Sequence, residues 1–465
     1  MEKTTIELEH SKANMASFGF AKFLSEFIEN AFAAWAFYFY ERTIGLDSLL
    51  VGLGYIIFAL WNAFNDPLMG YLTNRPFKFT KKWGRRFPWI LIGGAPYVLS
   101  YILIFSPPAV DPTSGALLIF LYLIFATCLF DTFNSIFFIN YVSLFPDKFR
   151  SSKERRLATG IQTPIGIFGV AVGFLVPPLI ISRLVSTTYV WQALVMAIIG
   201  LVVLAISIPG IKEDQVTIDR YLERHEREEK TPFLKSLKQA LKHGSFVAFI
   251  IGYTFYRCLV VSMQASVPYV VEFVLIKDDD YVTILSAGFL VGALISSPIW
   301  AWFAQKTNNN KKALLISSSL LVLFTIPLTF INSWIIMLFG MLLWGIGLGG
   351  YWTMISPVLA DIIDESVVQT GKREEGIYNG FLQFFGRLGI LFQAISFTLV
   401  HELTGFLEGE PVSAQGPLAI FGIQLHFALI PAIVMLIGTI IFWKKYNLTP
   451  DKVDEHQAKV TELKL

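Results

Sequence analysis

The sequence contains very little cysteine, histidine or charge for its length. Its 465 residues include 2 cysteines and 6 histidines, and 15% of them are charged. Cys128 and Cys258 both lie inside apolar runs, so neither a disulfide framework nor a thiolate metal site is expected. The histidines are scattered, and no glycine-rich phosphate loop joins a strand to a helix, which argues against an integral membrane enzyme. We therefore expect no enzyme activity, no resident metal and no cofactor.

Long apolar runs dominate the chain instead. Hydrophobic residues make up 54% of it, which is too much for a soluble domain and predicts a protein that crosses the lipid bilayer many times. The net charge of +2 gives no sign of a nucleic-acid partner, because the basic residues are confined to short loops.

Twelve runs, numbered here as spans 1 to 12, are long enough to cross a hydrocarbon layer of about 30 Å. They lie near residues 15–40, 48–73, 88–107, 116–142, 158–182, 189–210, 246–275, 281–305, 312–330, 333–360, 374–401 and 419–444. A single long polar interval separates the first six from the last six. The sequence thus predicts an all-α integral membrane fold of two six-helix halves, the plan of the major facilitator superfamily.

The predicted domains follow from this division. An N-terminal bundle covers residues 1–211, a central loop 212–244, a C-terminal bundle 245–446 and a tail 447–465. Basic residues are concentrated in the loops that follow even-numbered spans, such as Lys81, Lys82 and Arg155. By the positive-inside rule we expect these loops and both termini to be cytoplasmic, in the plasma membrane.

Ionisable residues inside the spans are the strongest functional signal, because a charge in hydrocarbon is costly unless it faces a cavity, a partner or an ion. Asn62, Asn65 and Asp66 share one face of span 2 at i, i+3 and i+4, and together they could hold a proton or a sodium ion. The alternative is a carboxylate that pairs with the following basic loop. Span 4 repeats the spacing with Asp131, Asn134 and Ser135, and a purely structural role is equally open for Asp131.

Other buried charges lie in span 1 and in the second half. Glu26 and Glu29 lie deep in span 1, whereas Arg257 lies on span 7 and Arg387 on span 11. A buried guanidinium needs an acidic partner or an anionic ligand. We therefore expect first-half acids to attract second-half arginines across a central cavity, which would couple charge to alternating access. Trp352 on span 10 could stack on a sugar ring, or simply pack.

Two stretches carry a family resemblance. The first runs from Asn65-Asp66-Pro67-Leu68-Met69-Gly70 to Trp83-Gly84-Arg85-Arg86, and the second from Trp352 through Ala360-Asp361-Ile362-Ile363-Asp364 to Tyr378-Asn379-Gly380. In order and spacing they resemble the glycoside-pentoside-hexuronide:cation symporters, the melibiose permease-like branch of the major facilitators.

The resemblance and the charge pattern together imply three groups of site residues. The cation site would comprise Asp66, Asn65, Asn62 and Ser135. The substrate site would comprise Glu26, Trp352, Arg387, Gln383, Gln162, Tyr256 and Arg257. Coupling or gating would involve Glu29, Asp131, Arg85, Arg86, Asp361 and Arg373.

The departures from the family pattern matter as much. Asn62 stands where sodium-using members carry a second carboxylate, so we expect a lone carboxylate at Asp66 that favours a proton over sodium. Phe138, Val142 and Gln162 stand where melibiose permeases have an acid, a tryptophan and an arginine, so the substrate is not expected to be melibiose.

The function expected from the sequence is secondary active transport. The protein would carry a glycoside or related small organic solute together with a monovalent cation, as a monomer in the lipid bilayer. Two alternatives stay open: a lysolipid or other amphipathic solute as substrate, and a sensor or scaffold of the same fold that transports nothing.

Overall fold

The computed structural model describes residues 10–73, 77, 80–149, 151–224, 240–371 and 375–462. Within these ranges the regular structure is entirely helical. Two parts of the sequence predictions lie outside the described residues, namely Arg373 and residues 225–239 of the central loop. The chain divides into two compact units, residues 1–229 and 230–465.

Six long helices form the first unit. They are α1 Lys12–Tyr38, α2 Ser48–Thr73, α3 Phe87–Ile104, α4 Ala116–Lys148, α5 Ser152–Leu175 and α6 Ser186–Ile211. Shorter helices at Thr80–Trp83 and Gln215–Arg224 lie in the loop after α2 and in the segment after α6.

Six further long helices form the second unit; the eleventh breaks at Arg387, and the twelfth continues through a π-helical turn at Leu425–Leu429. They are α7 Gly244–Tyr269, α8 Asp280–Thr307, α9 Asn310–Leu328, α10 Trp334–Thr370, α11 in two parts, Glu375–Gly386 and Leu388–Thr404, and α12 in two parts, Pro417–Gln424 and Ile430–Lys445. A last helix, Pro450–Glu462, packs against α10.

Eleven of these twelve, within the described chain, are long and apolar enough to cross a membrane. The exception is α1, because Lys22, Glu26 and Glu29 interrupt its apolar sequence. It is nevertheless a 27-residue helix with a largely buried surface, in the place predicted for span 1. The predicted all-α integral membrane fold is confirmed.

Close helix contact in the first unit depends on small residues. Helix α1 packs along α5, where Gly169 and Gly173 meet its backbone at Phe23 and Phe27. A Cβ atom at Gly169 would lie 2.6 Å from the carbonyl oxygen of Phe23, and one at Gly173 would lie 2.5 Å from that of Phe27. A stripe of small residues spaced four apart therefore lets the two backbones touch, as in other membrane helix pairs.

The two units repeat one local feature. A π-helical turn continues α1 at Phe39–Thr43, and another continues α7 at Val270–Val274. Each has a buried glutamate as its third residue, Glu41 in the first unit and Glu272 in the second. This correspondence indicates that the two units share a local plan, since the same unusual turn ends the first helix of each half.

His10 connects three segments of the first unit: the residues before α1, the first turn of α5 and the segment after α6. The Nδ1 atom of His10 lies 3.1 Å from Glu154 Oε1, and its Nε2 atom lies 3.0 Å from Asp214 Oδ2. Ionised carboxylates only accept hydrogen bonds, so this arrangement favours the protonated imidazole, in which both ring nitrogens donate. The hydrogen bond to Asp214 raises the pKa of His10 above its usual 6.5, and burial opposes that increase.

This contact predicts a pH-dependent contribution to stability. Because the pKa of His10 is raised on folding, the stabilisation is complete below pH 6.5 and is lost as the pH rises through the folded-state pKa. We expect His10→Ala to lower the free energy of unfolding by about 1–3 kcal/mol at pH 6 and by less at pH 9. Thermal unfolding in detergent at both pH values measures this.

The matched control is His243→Ala, because the His243 side chain makes no capping bond to α7. It should not reproduce the pH-dependent deficit. Equal losses for His10→Ala at pH 6 and pH 9 would show that ring packing against Phe149, rather than charge, is what His10 contributes.

Candidate functional site

The polar faces predicted on spans 2 and 4 meet in the first unit. Helices α2 and α4 pack side by side. Asn62, Asn65 and Asp66 lie on one face of α2 because three and four residues make about one helical turn. Asp131 and Ser135 lie one turn apart on α4 for the same reason. The helix pair therefore brings five oxygen- or nitrogen-bearing side chains to one contact.

Hydrogen bonds connect these five side chains into one cluster. The Nδ2 atom of Asn62 donates to Asp131 Oδ1 at 2.5 Å. The Nδ2 atom of Asn65 donates both to Asp131 Oδ2 at 3.0 Å and to Ser135 Oγ at 2.9 Å. The Ser135 hydroxyl in turn donates to Asp66 Oδ1 at 2.5 Å. Two carboxylates are thus linked through one amide and one hydroxyl.

The cluster is buried and rich in acceptors. Asn65 is 1% exposed, Asp131 2% and Ser135 0%, whereas Asp66 is half-buried. Within the described chain, the Oδ1 atom of Asn65 is buried without a hydrogen-bond partner, and so is that of Asn134 on α4. Buried acceptors are rarely left unpaired, and carboxylate, carbonyl and hydroxyl oxygens are the ligands of hard cations. This donor set fits a monovalent cation.

The placement of Asp131 differs from the expectation. From the sequence we expected Asp66 to be a lone carboxylate and Asp131 to act in coupling or gating. In the structure Asp131 belongs to the same cluster as Asn62, Asn65 and Ser135. The repeated i, i+3, i+4 spacing on span 4 was the available signal, but no spacing within one helix tells which other helix it faces.

Two predicted substrate residues of the first unit lie near one tyrosine. The hydroxyl of Tyr141 on α4 donates to Gln162 Oε1 on α5 at 3.1 Å. The carboxylate of Glu26 on α1 interacts electrostatically with the same hydroxyl. Glu26 and Glu29 also interact with Tyr97 on α3, whose hydroxyl is buried without a hydrogen-bond partner in the described chain. The hydrogen bond thus joins α4 to α5, and the two acids of α1 are near enough to tyrosines of α3 and α4 to interact electrostatically.

The predicted arginines of the second unit lie at the interruption of α11. The Nε atom of Arg257 on α7 lies 3.5 Å from the carbonyl oxygen of Gly386, the last residue of the first part of α11. Arg387 occupies the N-cap position of the second part, without a side-chain capping bond. Tyr256 stacks on Tyr351 of α10, with ring centroids 3.9 Å apart. Interrupted helices that expose backbone groups at membrane depth are typical of transporter binding sites.

Two predicted substrate residues of the second unit remain, Trp352 and Gln383. Trp352, the neighbour of Tyr351 on α10, is half-buried, and Gln383 on the first part of α11 is exposed. The attraction between first-half acids and second-half arginines stays a prediction.

The predicted gating residues that the structure describes make contacts within their own units. Arg85 Nη2 lies 2.8 Å from Asp147 Oδ2, and Arg86 Nη1 donates to Asn140 Oδ1 at 3.1 Å. In the second unit Asp361 accepts a hydrogen bond from Asn310 at 3.0 Å.

Glu213 is a residue that the sequence analysis missed. Its Oε2 atom accepts the backbone N–H groups of Arg86 at 2.7 Å and Phe87 at 3.0 Å, so it caps the start of α3. Burial raises the pKa of Glu213, and these backbone donors oppose the increase. An acid just after span 6 gave no signal for this role, because the contact joins residues that are distant in sequence.

The hydrogen-bond cluster predicts a stability effect at Ser135. Ser135→Ala removes the group that joins Asn65 to Asp66 and leaves buried polar atoms unpaired, so we expect a loss of about 1–3 kcal/mol in the free energy of unfolding. Thermal unfolding of the purified protein measures it. Thr132→Ala is the control, because that hydroxyl lies on the same helix outside the cluster and bonds the exposed indole of Trp61. A loss no larger than that of Thr132→Ala would contradict the cluster.

A bundle of apolar helices that holds carboxylates, amides and arginines at membrane depth defines a membrane transporter. A family model described as "MFS/sugar transport protein" matches residues 17–450. The chain belongs to this family of the major facilitator superfamily.

Individual relatives agree with that assignment. Sodium-dependent lysophosphatidylcholine symporter 1-A of Danio rerio is 24% identical over 418 residues, which cover 82% of this chain and 76% of that protein. The glucuronide carrier protein homolog of Escherichia coli strain K12 is 24% identical over 440 residues, which cover 92% and 90%. The solved structure of the nucleoside transporter NupG matches with a TM-score of 0.63 at 14% identity, covering 94% of this chain and 100% of that one, and shows the fold alone.

These matches decide several of the expectations. The resemblance to the glycoside-pentoside-hexuronide:cation symporters is confirmed, and so is the major facilitator fold. The protein is a multi-pass membrane protein and a secondary transporter, not an enzyme.

Proposed function

We propose that the protein is a sodium-coupled symporter that carries a glycoside or a related small organic solute by alternating access. The observation that carries this proposal is the buried cluster between α2 and α4. It groups two carboxylates, a hydroxyl and an amide oxygen that has no hydrogen-bond partner within the described chain. Asp66, Asn65, Asn62 and Ser135 keep the cation-site roles that the sequence suggested.

Sodium, rather than the proton favoured by the sequence, is the coupling ion in this proposal. The preference for a proton depended on a single carboxylate at Asp66. A second carboxylate, Asp131, belongs to the same hydrogen-bonded cluster, and sodium is better matched by more oxygen charge. The printed names of several relatives, which include sodium-dependent lysophosphatidylcholine symporters, support the same choice.

The substrate proposed first is a glycoside or a sugar acid. Glu26, Tyr141 and Gln162 supply acceptors and a hydroxyl in the first unit, which suits a solute with many hydroxyl groups. In the second unit Arg257 and Arg387 suit a carboxylate on the solute. The family description includes sugar transport, and one relative is named as a glucuronide carrier homolog.

The second candidate substrate is a lysolipid. Its support is the set of lysophosphatidylcholine symporters among the relatives, together with the apolar Phe138 and Val142 where sugar contacts were expected. An arginine pair suits a phosphate as well as a carboxylate.

The proposed setting is the plasma membrane, with a monomeric protein and both termini in the cytoplasm. The basic loops support this orientation by the positive-inside rule. In that orientation the Arg85–Asp147 ion pair and the Asp361–Asn310 bond lie at the cytoplasmic end of their units, where they act in gating. Glu29 acts in coupling.

The central prediction concerns Asp66. We expect Asp66→Asn to fold and to lose sodium-driven accumulation by about tenfold or more in proteoliposomes, because it removes one charge from the cation site. Asp111→Asn is the matched control, since that exposed carboxylate only holds its own loop through Thr113 and Ser114. Accumulation by Asp66→Asn at the wild-type level would refute the assignment.

A flux experiment separates the ions and the substrates. With imposed gradients of one ion at a time, we expect uptake of labelled glucuronides or glycosides to follow the sodium gradient without proton movement. Uptake that a proton gradient drives and that does not depend on sodium would contradict sodium coupling. Inhibition by lysophosphatidylcholine but not by sugars would favour the second substrate. Liposomes without protein provide the background.

A further inference from the structure

We propose that a groove between α7 and α12 binds one anionic phospholipid, with its headgroup at Lys444 and Lys445 and an acyl chain along the apolar wall beside them. The α7/α12 groove lies wholly within the second unit. None of its lining residues belongs to the proposed cation or solute sites, so the inference does not depend on the proposed function.

The groove forms because α7 and α12 separate towards one end of the pair. Further along, the two helices touch: a Cβ atom at Gly438 would lie 2.9 Å from Phe255 Cβ, and one at Gly252 would lie 3.5 Å from Phe442 Cβ. At Gly244, where α7 begins, an added Cβ atom would meet nothing within 4 Å among the described residues. The resulting opening has a volume of about 690 Å³, within the range of about 300–1,000 Å³ that is usual for ligand sites.

The wall of the groove is apolar. Val247 and Ile251 line it on α7, one helical turn apart, and Ile440 and Ile441 line it on α12. From Gly244 to Ile251 the α7 side extends about 10 Å along the helix axis. Ile440 is 40% exposed, so the groove opens on the outer surface of the helix pair. An apolar slot of this length suits a hydrocarbon chain, whereas a soluble anion gains nothing from it.

Positive charge lies at the mouth of the groove. Lys444 and Lys445 form part of the last turn of α12 and are exposed. Within the described chain neither ammonium group forms an ion pair. The preceding residue, Trp443, is 61% exposed, and exposed tryptophans at the end of a membrane span are typical of the headgroup level. The two charges therefore lie where a lipid phosphate would be.

The combination of wall and charge selects the class of lipid. Basic groups between membrane helices at the headgroup level attract anionic lipids. A zwitterionic lipid brings its own cation to the mouth and leaves two lysines only partly neutralised. Asn447 also borders the mouth and offers an amide to headgroup hydroxyls. An anionic phospholipid with a hydroxyl-bearing headgroup, such as phosphatidylglycerol, matches all of these features.

Native mass spectrometry of the full-length protein in detergent tests the proposal. The probes are phosphatidylglycerol and phosphatidylcholine with the same acyl chains. We expect the protein to bind one phosphatidylglycerol with an apparent affinity about tenfold or more above that for phosphatidylcholine, because two lysines face the headgroup. The double variant Lys444→Gln with Lys445→Gln should lose this preference. Excess glycerol 1-phosphate should not displace the lipid.

The matched control is Lys306→Gln with Lys312→Gln. It removes the same charge from exposed positions near the facing ends of α8 and α9 in the same unit, outside the groove. This variant should keep the preference for phosphatidylglycerol. An equal loss in the control would show general charge attraction and overturn the proposal. Equal binding of the two lipids by the unaltered protein would also overturn it, as would displacement by glycerol 1-phosphate, which would indicate a site for soluble anions.

A second variant tests the apolar wall. Gly244→Leu places a side chain in the open space at the start of α7, so we expect it to fold and to weaken phosphatidylglycerol binding by about fivefold or more, because it occupies room needed by the lipid. Unchanged binding by Gly244→Leu would overturn the placement of the lipid in the groove. Size-exclusion chromatography and circular dichroism check each variant. If Gly244→Leu does not fold, the lysine variants decide, because they alter only exposed side chains.

Discussion

The site depends on a buried negative charge that neutral amides hold in place. Asp131 lies where water is excluded, and two asparagines of α2 donate to its two oxygens. The two amide donors fix the orientation of this carboxylate at the contact of α2 and α4. Ser135 extends the network to Asp66 and makes the two carboxylates parts of one cluster. The proposed cation site and the packing of α2 on α4 thus share one hydrogen-bond network.

Other contacts hold the first unit together away from this cluster. Helix α1 can approach α5 closely because Gly169 and Gly173 present no side chain to it. Outside the helices, His10 joins the segments before α1 and after α6 to the start of α5. These ties lie within the first unit, the unit that also contains the cluster.

The two units use the same plan for different chemistry. Each ends its first helix in a π-helical turn with a buried glutamate, Glu41 or Glu272. The first unit adds carboxylates at membrane depth, whereas the second adds Arg257 and Arg387 at a break in α11. A cation and an anionic or hydroxyl-rich solute would therefore find suitable groups on different halves of one repeated fold.

The sequence by itself determined the number and positions of the helices, because apolar runs of that length have no other stable fold in a bilayer. It also identified the polar faces of spans 2 and 4, because side chains three and four residues apart share a helix face. Only the tertiary structure decided that Asp131 joins Asn62 and Asn65, and that Glu213 caps α3. Helical periodicity fixes which way a side chain points around its own axis, whereas its partner depends on how separate helices pack.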